Sequence, residues 1–121
     1  MKKLFISCPM KGRTEENIKK SMDKMYKLAE IMFEQELEVI PTFIEEDAPD
    51  NANSGLWYLG RSLQMLAEAD YFISVRDTYY YYGCEIEGNA ACHYGIQGKF
   101  VDARDVMPDF DEIAKSAYAE I

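Results

Sequence analysis

Lys3-Leu4-Phe5-Ile6-Ser7-Cys8-Pro9-Met10-Lys11-Gly12-Arg13-Thr14 is the stretch on which the fold turns. Lys3 to Ser7 is a short apolar run that reads as a buried strand, and Pro9 to Arg13 follows as a loop. Thr14 then opens a long helical pattern, with Glu15 and Glu16 in the first turn, where the helix dipole favours acids. Ile18, Met22, Met25, Ala29 and Met32 recur at spacings of four, three, four and three. Such a stripe faces a core; methionines at helical spacing mark packing, not a cofactor box. Strand, loop and helix in this order form the first half of a β-α-β unit.

The rest of the chain repeats the unit without repeating the sequence. Leu37 to Pro41 reads as a second strand, stopped by proline. Thr42 to Ser54 is an acidic surface loop, and Asn53 or Ser54 caps a helix running to about Glu68. The apolar stripe of that helix is Leu56, Leu59, Leu63 and Leu66. Tyr71 to Val75 is a third strand, Arg76 to Gly83 an aromatic loop, and Cys84 to Tyr94 a helix. Lys99 to Asp102 is a fourth strand, and Asp109 to Tyr118 a last amphipathic helix with Phe110, Ile113, Ala114 and Ala117. The alternation predicts a single-domain α/β fold, Rossmann-like or flavodoxin-like. Its open parallel sheet has four to five strands and helices on both faces.

Composition narrows the function. The chain has 121 residues, 48% hydrophobic and 29% charged, which suits one globular domain. A net charge of −9 repels phosphate backbones, so a nucleic-acid polymer is a poor partner. A small anion remains acceptable where local dipoles outweigh net charge. No apolar run approaches the roughly 18 residues of a membrane span, and Leu4-Phe5-Ile6 is too short for a signal peptide. Three cysteines, Cys8, Cys84 and Cys92, read as reduced thiols of a cytoplasmic protein. With His93 alone beside them they are too few for a structural zinc site, so no metal is expected.

Right-handed crossovers bring every strand's C-terminal end to one edge, where ligands of such sheets bind. Three segments lie there: Ser7 to Arg13, Pro41 to Ser54, and Arg76 to Gly83 with the helix after it. Gly83-Cys84-Glu85-Ile86-Glu87 carries the sharpest feature. Glu85 and Glu87 point about 200° apart on a helix, so only one faces the pocket. Glu87 is read as a first-turn carboxylate kept ionised by the helix dipole unless burial opposes it, with Ile86 and Ala90 as the packing face. An ionised, partly desolvated carboxylate is a competent nucleophile toward a sugar carbon. The plainer reading makes both glutamates surface partners of the dipole.

In the first loop, Ser7, Lys11, Gly12 and Arg13 offer a hydroxyl, two cations and a flexible backbone to a phosphate or carboxylate. Loop lysines and arginines are also ordinary solvated charges. Tyr79 to Tyr82 and Trp57 present flat rings that stack on a base or cover an interface. His93 reads as a partly exposed packing residue, and Cys8 as a buried, inert thiol.

Three segments together resemble the nucleoside 2-deoxyribosyltransferase superfamily, in particular a small uncharacterised bacterial and phage branch. That superfamily includes nucleoside-monophosphate N-glycosidases. The segments are Leu4 to Gly12, Leu59 to Asp70, and Gly83-Cys84-Glu85-Ile86-Glu87 with Ala91 and Gly95; the likeness covers about residues 3 to 101. The resemblance implies that Glu87 is the catalytic glutamate, forming a glycosyl-enzyme intermediate that water or a second base resolves. It implies a substrate site of Ser7, Cys8, Pro9, Met10, Lys11, Gly12, Ser62, Tyr81, Tyr82 and Gly83. It further implies that the substrate is a nucleoside or nucleotide, that no metal or organic cofactor is required, and that the protein is a homodimer or larger homo-oligomer.

Ser62 stands where the family often has an aspartate, and Phe5 where it often has the tyrosine that orients the glutamate. Tyr81 occupies the polar position six before Glu87. The expectation is thus an N-glycosidase or deoxyribosyltransferase-like enzyme. The alternative is a non-catalytic module for a nucleotide or ADP-ribose-like signal, and a third reading is an interaction protein using its tyrosine loop and acidic surface.

Overall fold

Sequence-local hydrogen bonds set where the long helices begin. Thr14 keeps an extended backbone and accepts the Asn17 N–H at 3.2 Å, which starts α1 (Glu15–Phe33). Asn53 accepts the Leu56 N–H at 3.0 Å and starts α2 (Ser54–Leu66), which settles the choice between Asn53 and Ser54. The computed structural model describes residues 1–76 and 81–119. The remaining elements are β1 (Lys2–Ser7), β2 (Leu37–Val39), β3 (Tyr71–Val75), α3 (Tyr82–His93), β4 (Gln97–Val101), α4 (Ala103–Val106) and α5 (Phe110–Ala119).

The strands form one open sheet in the order β2-β1-β3-β4, and every neighbouring pair is parallel. Leu4 pairs with Tyr71 and Ser7 with Ser74, while Val75 pairs with Val101. Side-chain alternation sends Leu4, Ile6, Cys8, Ile73 and Val75 to one face, where Met25 and Ala29 of α1 and Val106 of α4 join them. Phe5 and Phe72 go to the other face, against Leu66 of α2 and Ala91 of α3. Their rings lie 6.2 Å apart, and burying each contributes about 1.5–3 kcal/mol. Gly98 packs closely on this cluster: a Cβ there would sit 3.1 Å from the Phe72 ring and would press it aside by a few tenths of an ångström. Helices on both faces of an all-parallel open sheet make the fold Rossmann/flavodoxin-like, with four strands among the described residues.

The elements depart from the expected pattern at their ends. β4 begins at Gln97, not Lys99, and its first three residues are exposed because the strand lies at the sheet edge. α3 begins at Tyr82, two residues before Cys84, and the single turn α4 had no expected counterpart. The outermost members of two stripes miss the core: Met32 is 39% exposed and Leu56 65% exposed. On α1 the fully buried line is Ser21, Met25 and Ala29, so a serine takes a place the hydrophobic pattern did not reserve for it. Ala117 and Tyr118 of the expected last helix fall where side chains are not described, and Tyr79 and Tyr80 lie outside the described residues.

Candidate functional site

β1 pairs with β2 on one side and β3 on the other, so the strand order reverses between β1 and β3. The carboxyl end of β1, the loop after β2, α2 and the start of α3, which follows β3, surround an open cavity of about 590 Å3. Ser7 and Cys8 come from the end of β1, Met10 and Lys11 from the loop after it, and Ser62 from α2. Tyr81 precedes α3, and Tyr82, Gly83, Cys84 and Glu87 come from its start. Of the residues expected to bind substrate, Pro9 and Gly12 are outside the lining. Pro9 is fully buried behind the loop, and Gly12 is exposed, turning the chain at φ +76°.

Glu87 occupies the second turn of α3, not the first, because the helix starts earlier than expected. Its inward orientation follows from helix geometry: Cys84, Glu87, Gly88 and Ala91 form the buried stripe, and Glu85 is exposed. Ile86 is not on the packing face; it is 42% exposed and lines the cavity, while Ala90 packs on the core. Glu87 itself is only 8% exposed. The Ser7 hydroxyl donates to its Oε1 at 2.7 Å, and the Ser74 hydroxyl donates to the Ser7 carbonyl at 3.2 Å. Adjacent strands therefore hold the group that holds the carboxylate.

Burial, not the helix dipole, dominates the titration of Glu87. Burial raises its pKa above the usual 4.5, and the Ser7 hydrogen bond opposes this in part. The helix dipole does not prevail because Glu87 sits beyond the first turn, where that field fades. The neighbouring thiols are held in the protonated form: burial pushes Cys8 up to about 11 and Cys84 up to about 12. Burial also raises the Tyr81 pKa, so its phenol stays protonated, and its buried hydroxyl has no hydrogen-bond partner among the described residues.

Arg13 is neither a solvated charge nor a pocket cation. Its side chain is fully buried and paired with Asp109, which leaves exposed Lys11 as the cation of the lining. His93 is exposed. Trp57 does not line the cavity and packs edge-on against Tyr58, with ring centres 5.1 Å apart. Tyr58 does line it, and its hydroxyl accepts the Ala48 N–H at 3.2 Å, anchoring the acidic loop. Sequence reasoning missed Tyr58, and it placed Leu56 and Leu59 in a core stripe although both line the cavity. Thr42 and Ile44 also line it, from the loop after β2 that the strand-end rule pointed to.

A second groove, of about 510 Å3, lies between α1 and β2 and is lined by Ile18, Met22, Tyr26 and Leu37. It lies away from the β1/β3 switch point and has no buried carboxylate. Among the described residues no three His, Cys, Asp or Glu side chains are placed to hold a metal ion, and no helix is long and apolar enough to cross a membrane. No family model, no curated protein and no solved structure matches the chain.

Proposed function

We propose that the cavity binds a nucleoside or nucleotide and that Glu87 breaks the bond between base and sugar. The observation that carries this reading is the Glu87 carboxylate, buried in the cavity at the β1/β3 switch point and held by Ser7. In its ionised form the carboxylate attacks the anomeric carbon. The carbon–nitrogen bond breaks, its electron pair leaves with the base, and the base takes up a proton. Water, or a second base, then releases the sugar from Glu87.

Burial strips water from the carboxylate, which strengthens it as a nucleophile once ionised and moves the acid limb of activity upward in pH. Tyr58, Tyr81 and Tyr82 supply aromatic surface for a base. The chemistry calls for no metal or organic cofactor, and the net charge of −9 disfavours a nucleic-acid polymer. Exposed Met10, Leu56, Tyr82 and Ile86 at the cavity support a homodimer or larger homo-oligomer in which a second subunit covers it. We place the protein in the cytoplasm on its free cysteines, Cys8, Cys84 and Cys92.

The test is a thermal-shift screen of nucleosides and nucleoside monophosphates, with chromatography of each hit for released base. Base release by the wild type, lost in a folded Glu87→Ala variant, is the expected result; full turnover by that variant overturns the mechanism.

A second reading, a non-catalytic module for a nucleotide or an ADP-ribose-like signal, is favoured by one observation. The lining carries a single carboxylate among the described residues, with Phe5 and Ser62 where helpers are expected. Binding without any base release after long incubation selects this reading.

A further inference from the structure

The most heavily bonded side chain near the cavity does not touch it. Arg13 is 0% exposed at its side chain, and Asp109, just before α5, is 6% exposed. Arg13 Nε and Nη2 donate to the two oxygens of Asp109 at 2.9 and 2.8 Å. Nη1 donates to the Pro9 carbonyl at 2.7 Å and to the Cys8 sulfur at 3.7 Å. Nη2 also reaches Ser21 Oγ at 2.6 Å and the Asn17 carbonyl at 3.2 Å, both on α1. The Arg13 backbone N–H donates to the Met10 carbonyl at 3.1 Å, and Gly12 makes the reversal between them in the left-handed region. The loop that presents Cys8, Met10 and Lys11 to the cavity is thus folded around its own guanidinium.

We propose that the Arg13–Asp109 pair positions this cavity wall, so that the turn leading into α5 presets the site for its ligand. The inference rests on the proposed binding role of the cavity. A loop ordered only on binding takes its ordering entropy from the affinity; a loop ordered on folding does not. Stability alone is a poor reason for the arrangement, since buried ion pairs are often matched or bettered by apolar residues of similar volume. What an apolar substitute lacks is direction. A planar fork with five donors fixes one carboxylate, two carbonyls and a hydroxyl at once, and a lysine cannot reproduce that geometry. The same saturation leaves Arg13 no free donor with which to hold a phosphate.

The experiment compares wild type, Arg13→Lys, Asp109→Asn and, as control, Asp111→Asn, whose carboxylate is exposed on α5. Affinities for 2′-deoxyadenosine and its 5′-monophosphate are measured by calorimetry well below each variant's Tm, with amide hydrogen exchange on the unliganded proteins. Arg13→Lys and Asp109→Asn are expected to weaken both ligands about tenfold and in equal ratio, and the control neither. Exchange is expected to quicken in residues 8–13 while β3 stays protected.

Unchanged affinity in the folded variants overturns the proposal and leaves the pair a purely structural role. A loss confined to the monophosphate overturns it in favour of Arg13 as a phosphate ligand. If Asp109→Asn does not fold, Arg13→Lys and Ser21→Ala carry the comparison. If wild type binds neither probe, the functional reading fails for them, and exchange alone then decides. Quickening confined to the loop supports the positioning role, and uniform quickening overturns it.

Discussion

Glu87 and Asp109 are both carboxylates, each 8% exposed, yet they answer burial in opposite directions. Glu87 has a neutral hydroxyl for a partner, and its pKa rises. Asp109 has a bidentate guanidinium, and its pKa falls, chiefly through the Arg13 hydrogen bonds. A carboxylate matched by a full opposite charge ties elements together. One matched by a neutral hydroxyl, at the edge of a cavity, stays available to something that arrives later. A carboxylate left available and one locked in place are here the same side-chain chemistry under different compensation.

The contrast breaks most sharply at Glu87. Glu87→Gln keeps the acceptor for Ser7 and removes the charge, so base release should fall at least about a thousandfold in a chromatographic assay. The same variant should be more stable than wild type at neutral pH. A raised folded pKa favours the native state fully below the ordinary value of 4.5, and that advantage is lost as pH rises through the folded pKa. Ionised Glu87 therefore costs stability at neutral pH. Calorimetric Tm should therefore be higher than that of wild type there. The difference should vanish near pH 4.

Asp109→Asn is the counterpart. It leaves a buried guanidinium without its countercharge and should cost about 3 kcal/mol in urea unfolding. Its sign with pH is the reverse. A lowered folded pKa gives stability that is complete above the ordinary value of 3.8 and lost as pH falls through the folded pKa. Wild type and variant should therefore converge only in strong acid.

Ser7→Ala sharpens the comparison by removing the hydroxyl that donates to Glu87. The Glu87 pKa should rise further, seen as an acid limb of the pH–rate profile displaced to higher pH, while Asp109 is unaffected. Ser21→Ala makes the smallest change. It removes one of several acceptors from Arg13 and should cost about 1 kcal/mol by urea unfolding, with the pH–rate profile unmoved.

Much of this was legible along the chain because it depends on neighbours in sequence. Thr14 and Asn53 reach only three residues ahead to cap their helices, and 200° of helical rotation separates exposed Glu85 from buried Glu87 whatever surrounds them. Alternating apolar runs dictated parallel strands between helices, and strand-end logic led to the loops at the cavity. Stripe ends were less legible: Leu56 and Ile86 have the periodicity of core residues, and only the neighbouring loops leave them facing a cavity.

The amino-acid sequence by itself determined the α/β alternation, the Thr14 cap and that Glu85 and Glu87 face opposite ways. Tertiary structure decided what the charged groups do. Arg13 meets Asp109 from 96 positions away, and Ser7 meets Glu87 from 80. Whether a cation is a ligand or an anchor, and whether a carboxylate loses its proton readily, depends on desolvation and on partners. Burial and distant partners exist only once the sheet has brought the ends of β1 and β3 together.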